Sequence, residues 1–244
     1  LIADAMEPYL LANGIQFSRN TPDMTAASSI RQANQGSYDF YLAIHSNASG
    51  SGSEGQTRGI IAFYYPTSAN GRRAAELSRR MLELSVLQHD AAIEKKPVAV
   101  PQLLQHVQTA MLPLAKNRGV ALQVGEAAFE TVPGDGALLE SLLGNLCENA
   151  IKASSPGGVV QLGCEKRGKK CFWVRDYGRG MSRETLENLG QPFYREDKAR
   201  SRREGGAGLG VALCFEIARQ HGARLQYFSR PGEGTLAMVE FEKA

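Results

Sequence analysis

Four short segments between Asn145 and Gly210 hold residue types that could do chemistry. In Asn145-Leu-Cys-Glu-Asn149-Ala-Ile-Lys152 the two amides and the lysine are spaced i, i+4 and i+7, which puts all three along one helix face. An amide oxygen is a hard ligand suited to magnesium, and a lysine ammonium reaches phosphate as a point charge. A solvated helix face has the same spacing. Val174-Arg-Asp176-Tyr-Gly178-Arg-Gly180-Met181 sets a carboxylate at a strand end with two glycines after it. Such glycines let the backbone approach a flat ligand while the carboxylate accepts a hydrogen bond from an exocyclic amine; Asp and Gly also build ordinary turns. Gly190-Gln-Pro-Phe193-Tyr194 places an aromatic in a polar loop, where a satellite core contact explains it equally well. Gly205-Gly206-Ala-Gly208-Leu209-Gly210 opens a helix, and a glycine-rich loop there turns free N–H groups and the positive end of the helix dipole toward phosphate. No Lys-Ser/Thr follows the last glycine, so this is not a P-loop.

The elements that must position these segments follow from periodicity. Asp135 to Ala153 reads as a long helix, apolar at Leu142, Leu146 and Ile151, with Gly157-Gly158 after it. Val159 to Glu165 and Lys170 to Arg175 form a hairpin around Arg167-Gly168, so Asp176 stands at the end of its second strand. Gly178 to Arg203 is loop-rich, Gly210 to His221 is a helix, and Arg224 to Ser229 and Thr235 to Phe241 are strands. Upstream, Pro101 starts a helix over Gln102 to Asn117, followed by strands at Val120 to Val124 and Phe129 to Val132. Helices on one face of a mixed sheet give a two-layer α/β sandwich. A helix through Leu77, Met81, Leu84 and Leu87 leads into it by a short, proline-flanked connector, Lys95 to Val100.

The first third has its own pattern. A helix to Leu11 is closed by Asn13-Gly14, a short strand covers Ile15 to Ser18, and Thr25 to Gln35 is helical. Tyr38 to His45 is a continuous apolar run, the pattern of a strand buried on both faces of a parallel sheet. A Gly/Ser loop from Ser49 to Gly55, a strand from Ile60 to Tyr65 and a helix from Asn70 to Ser85 follow, an alternation that implies α/β architecture. The expected domains are 1–76, a helix and connector at 77–100, and 101–244.

In this order and spacing, the four segments resemble the N, G1, F and G2 boxes of the histidine-kinase-like ATPase superfamily, whose Bergerat-type sandwich agrees with the strand–helix reading. The resemblance covers about Leu77 to Phe241, including the Gly232-Glu-Gly234-Thr235 turn. It implies that Asn149 ligates Mg²⁺ with Asn145 in support, that Lys152 touches the phosphates of ATP, and that Asp176 binds the adenine amine. Gly178 and Gly180 would shape the adenine pocket, with Phe193 and Thr235 also on the nucleotide. Gly206, Gly208, Leu209 and Gly210 would hinge and anchor a lid carrying Arg195, Lys198, Arg200, Arg202 and Arg203. Glu148 stands where gyrase-type, mismatch-repair and chaperone ATPases of the superfamily place a catalytic Glu, so it is the candidate catalytic residue. The short lid, the run from Gly206 to Leu213 and the lead-in Leu77 to Val100 favour a sensor histidine kinase. The implied function is that of an ATP-binding catalytic domain serving phosphotransfer to a histidine on a dimerisation domain outside this chain, with a response regulator as further partner. His89-Asp90 in the connector is read as incidental, and His106 and His221 as structural.

Residues 1–75 resemble the middle of a zinc-dependent N-acetylmuramoyl-L-alanine amidase, through Asn13-Gly-Ile-Gln-Phe-Ser-Arg19, Ile30-Arg31-Gln-Ala-Asn34 and Ile44-His45-Ser-Asn47-Ala48. The resemblance makes His45 a Zn²⁺ ligand, and an incomplete cell-wall hydrolase is the alternative function. A catalytic zinc wants three protein ligands, and one does not make a site. Cell-wall amidases act outside the membrane and a kinase domain needs cytosolic ATP, so the expectation is a chimera or a composite of two fragments joined near Ala74 to Arg80, ahead of a genuine fusion with a degenerate amidase-like sensor.

The bulk numbers exclude other classes. A net charge of +3 is too small to argue for nucleic acid. Cys147, Cys164, Cys171 and Cys214 make no C-x-x-C pair and read as buried free thiols of a reducing compartment. No apolar run approaches 18 residues, so the chain is expected to be cytoplasmic, with a membrane anchor left to the parent kinase. The opening at Leu1, already in mid-helix pattern, reads as a fragment boundary.

Overall fold

Caps set the helix ends here as firmly as apolar spacing sets their faces. α1 (Val100–Arg118) has Pro101 in its first turn, where a helix needs no N–H from it, and ends at Gly119, whose left-handed φ of 64° lets its N–H close on the Ala115 and Lys116 carbonyls. α2 (Gly136–Ala153) is capped by Asp135, whose Oδ1 accepts from the Ala137 and Leu138 N–H groups at 2.9 and 3.1 Å. A cap of this kind contributes about 1 kcal/mol. The Asp135 N–H in turn donates to Nε2 of His221 at 3.0 Å, tying the start of α2 to the end of another helix.

The computed structural model describes residues 40–43, 61–64, 80–81, 83–84, 87, 93–192, 194 and 208–242. The chain divides into two compact units, Leu1–Glu83 and Leu84–Ala244. In the first, β1 (Phe40–Ala43) and β2 (Ile61–Tyr64) pair antiparallel, Phe40 opposite Tyr64 and Ala43 opposite Ile61. This corrects the parallel sheet expected around 38–45. A continuous apolar run reports burial on both faces and carries no information on strand direction. The remaining readings over 1–75, His45 among them, lie outside the described residues.

The second unit is a two-layer α/β sandwich. Its sheet runs β4 (Ala121–Val124), β6 (Val159–Arg167), β7 (Lys169–Asp176), β9 (Gly234–Phe241), β8 (Ala223–Arg230), with β4 parallel to β6 and the other neighbours antiparallel. α1, α2 and α4 (Gly210–Gln220) close the core on one face. Leu139, Leu142, Leu143 and Ile151 of α2 meet Val160 and Leu162 of β6, Phe172 and Val174 of β7, Val239 of β9 and Ile217 of α4, all within 2% of full burial. Each such side chain contributes about 1.5–3 kcal/mol on leaving water. The four cysteines are free and buried, and burial pushes the Cys147 and Cys171 thiols up to about 12 and about 11, which makes them inert.

Three short elements depart from the sequence expectation. β3 (Lys96–Ala99) falls in the connector and pairs antiparallel with β5 (Thr131–Gly134), Pro97 opposite Pro133. A two-stranded ribbon has an edge on each strand, so it tolerates prolines that the larger sheet would not. β5 itself lies two residues beyond the expected strand; Phe129 is buried instead against the Phe172 ring, centroids 5.5 Å apart. α3 (Arg183–Glu187) interrupts the loop-rich stretch, started by Ser182, whose Oγ accepts from the Thr185 N–H at 3.1 Å. Among the described residues no helix is long and apolar enough to cross a membrane.

Candidate functional site

Asp176 is the last residue of β7 and is 4% exposed, an uncommon place for a carboxylate without a partner ion. The Gly178 N–H donates to its Oδ1 at 2.9 Å, and the backbone N–H of Thr235, the β9 residue directly opposite it in the ladder, also favours the charged form. Burial pushes its carboxyl up from the ordinary value, against the pull of those two donors and of the Arg179 charge. A carboxylate fixed by backbone and kept from water favours a ligand that brings its own N–H donors.

The chain beyond Asp176 turns where little else could pass. A Cβ on Gly178 would lie 2.3 Å from the Ala153 carbonyl oxygen at the end of α2. One on Gly180, at φ +66°, would lie 1.8 Å from the Arg230 carbonyl oxygen. The space these two glycines free is therefore taken by the chain's own backbone, the Arg179 N–H closing on the Ala153 carbonyl at 3.3 Å. The effect is to press the C-terminal end of α2, with Lys152, against the corner that holds Asp176. On the other side, Ser229 of β8 ties the Met181 N–H (2.9 Å), the Gly234 carbonyl (2.7 Å) and the Thr235 hydroxyl (2.9 Å) together.

Along α2 the polar residues are disposed differently. Asn145, half-buried, spends its Nδ2 donor on the Ser141 carbonyl at 2.8 Å. Lys152 pairs with Glu148 one turn back at 2.5 Å, both about three-quarters buried. Asn149 is exposed. Gly208 (φ +71°), Leu209 and Gly210 stand at the N-terminus of α4, with Leu209 fully buried and accepting from the Leu213 N–H at 2.9 Å. α4 is joined to α2 through apolar packing and the Cys214 thiol on the Leu142 carbonyl at 3.7 Å, away from the polar face of α2. Phe193, Gly206 and the basic residues between them lie outside the described residues, as does His45. No group of three or more His, Cys, Asp or Glu that could hold a metal ion is found among the described residues.

Asp176, Gly178, Gly180, Thr235 and the Lys152 end of α2 thus converge on one corner. Ser229 escaped the sequence reading because a serine in an alternating strand looks like any solvent-facing residue. Gly234 was visible only as part of a turn, and the structure gives it a second role: at φ +82°, a Cβ there would sit 2.1 Å from the Asp176 carbonyl oxygen.

Residues 134–244 match the family described as histidine kinase-, DNA gyrase B-, and HSP90-like ATPase. The sensor-like histidine kinase SenX3 of Mycolicibacterium smegmatis is 32% identical over 181 residues, which cover 71% of this chain and 46% of SenX3. The chain spans less than half the length of that relative. Full-length ShkA, solved in complex with AMPPNP, superposes with a TM-score of 0.61 at 25% identity over 70% of this chain and 36% of ShkA. The catalytic domain of histidine kinase ThkA shares the fold at a TM-score of 0.53 and 22% identity, over 62% of this chain and 97% of that domain. These matches lend no support to the amidase resemblance of residues 1–75, nor to a chimera.

Proposed function

With an ATP-binding catalytic domain of the sensor histidine kinase type in its C-terminal part, we propose that the chain serves transfer of the γ-phosphoryl group of Mg·ATP to a histidine on a dimerisation domain of its parent protein. From there a response regulator would receive it. The observation that carries this reading is the buried, backbone-held carboxylate of Asp176 at the strand end, an acceptor suited to the exocyclic amine of adenine.

In this reading Asp176 and Thr235 take the base, and Gly178 and Gly180 set the wall beside it. Lys152 turns from Glu148 to the phosphates. Its pairing with Glu148 is an i, i+4 ion pair of two long side chains on one helix face, which a phosphate could replace as partner of the ammonium. Leu209 and Gly210 seat the N-terminus of α4 so that its free N–H groups would meet phosphate, with Gly208 just before them.

The residues present fit magnesium. Mg²⁺ keeps several waters and takes one or two protein oxygens beside those of substrate phosphates, and the exposed Asn149 amide offers one such oxygen without a cage of carboxylates. Asn145, anchored to the Ser141 carbonyl, would support Asn149 from one turn below. Held by Asn149, magnesium would neutralise the charge of the phosphates. Glu148, one turn before Lys152 on the same helix, is the candidate for a catalytic part. In the overall transfer the bond between phosphorus and the bridging oxygen of ATP breaks, a phosphorus–nitrogen bond to the imidazole forms, and ADP leaves.

The test is phosphotransfer in trans. The full chain, incubated with γ-labelled ATP and Mg²⁺, should label a separately supplied dimerisation domain of a close sensor kinase. Label that fails to appear on any dimerisation domain tried, while adenine nucleotide still binds, would reduce the proposal to nucleotide binding alone.

A further inference from the structure

The Ser229 hydroxyl has three neighbours and one proton. Its Oγ lies 2.9 Å from the Met181 N–H, 2.7 Å from the Gly234 carbonyl oxygen and 2.9 Å from the Thr235 hydroxyl. The first of these can only donate and the second can only accept. The proton of Ser229 therefore goes to the Gly234 carbonyl, because any other direction would set two oxygen lone pairs face to face at 2.7 Å. With that proton spent, the contact between the two hydroxyls needs a proton from Thr235. The Thr235 oxygen is then left with lone pairs alone for anything else that approaches it. Thr235 stands directly opposite Asp176 across β7 and β9, so both side chains leave the sheet on the same side. Asp176, when ionised, is likewise an acceptor only.

Building on the nucleotide reading above, we propose that Ser229 is a positioning residue that determines base specificity. By fixing the proton of Thr235 it makes the base end of the site a pair of acceptors, matched to a 6-amino purine and mismatched to a 6-oxo purine. An amine brings two N–H donors to Asp176 and Thr235, directly or through a water. A 6-oxo group brings an acceptor against acceptors. A Thr235 hydroxyl free to rotate would accommodate either base, since it could donate to the one and accept from the other. Ser229 also joins the turn after Gly180 to the turn between β8 and β9, so the same hydroxyl that orients Thr235 holds two walls of the corner together.

The experiment is calorimetric titration of the full chain with the β,γ-imido analogues of ATP and of inosine triphosphate, whose bases differ at the 6-position and in the proton on N1, in the presence of Mg²⁺. The wild type should prefer the adenine nucleotide. Ser229→Ala should cut that preference by about tenfold, the scale of one hydrogen bond with a defined direction, and Ser229→Thr, which restores a hydroxyl, should keep it. Thr235→Val leaves the bonds of Ser229 to Met181 and Gly234 in place and should also lose the preference, so the test holds if Ser229→Ala does not fold. The double variant should lose no more than either single one. If Ser229→Ala weakens both nucleotides by one factor, or Thr235→Val leaves the preference intact, Ser229 has no part in specificity and is a brace only. A wild type that binds neither nucleotide would overturn the site itself, an outcome distinct from binding without a change in preference.

Discussion

At the strand-end corner, Asp176, Gly178 and Gly180 are held by backbone, an N–H group on the carboxylate and carbonyl oxygens where side chains would be, and Thr235 is held by the Ser229 hydroxyl. Along α2, Asn145 donates to the Ser141 carbonyl, Lys152 pairs with Glu148 through long side chains, and Asn149 stands exposed. The difference has a physical reason. A flat base is recognised by a few hydrogen bonds in fixed directions, which reward an arrangement set before binding. A triphosphate carries diffuse charge and a hydrated cation, which long side chains can meet after reorientation. In the proposed nucleotide site, one end is built with the fold and the other would be completed by its ligand.

The comparison breaks most visibly at Gly180. Its Cβ would overlap the Arg230 carbonyl at 1.8 Å on a left-handed backbone, so Gly180→Ala should cost about 3 kcal/mol or more in a denaturant melt. Gly168, equally left-handed at φ +80° but with open space around it, should cost only about 1 kcal/mol on the same substitution.

Asp176→Asn should weaken an ATP analogue by about 100-fold while the fold persists. Because burial raises the Asp176 carboxyl, the folded state takes up a proton more readily than the unfolded one between the ordinary value of 3.8 and its own. Stability from this group therefore falls as pH rises through that window and stays lower above it. The variant, which carries no charge to bury, should melt at the same temperature or higher at pH 7.

At the other end the effects are smaller. Lys152→Met should weaken the triphosphate by about tenfold and leave adenosine unaffected, because in the proposed site the ammonium would meet only phosphate. The smallest effect lies at the root of α2. Burial lowers the His221 pKa, with Lys95 adding to the shift and Asp135 opposing it, so the neutral ring is the form the fold favours. Its Nδ1–H donates to the Ile217 carbonyl at 2.7 Å while Nε2 accepts from the Asp135 N–H. That contribution is present above about pH 6.5 and is lost as pH falls through the lowered pKa. Acid melts below about pH 6.5 should show a loss of stability that His221→Gln flattens.

Much of this was legible beforehand where local signals agree. Asp135 followed by an apolar helical period marked α2, Arg167-Gly168 marked the hairpin, and Asp176-Tyr-Gly178-Arg-Gly180 marked the corner. What stayed hidden depends on residues far apart in sequence. β3 could not be read because Lys96-Pro97-Val98-Ala99 lacks alternation and is a strand only through its partner at Thr131–Gly134. α3 is too short for any period to develop, and its one signal was the capping Ser182. The glycines after Asp176 were read as making room for a ligand. That the room goes to Ala153 and Arg230 follows from how α2 and β8 end, which no spacing within the motif encodes.

The central claim is a nucleotide site whose base end is ready-made and whose phosphate end is completed on binding. Titration of the full chain with a non-hydrolysable ATP analogue and with adenosine, each with and without Mg²⁺, tests it most directly. The account predicts one site, adenosine binding indifferent to Mg²⁺, and triphosphate binding strengthened at least about tenfold by it. Absence of any adenine-dependent heat, or equal Mg²⁺ dependence for both ligands, would contradict it.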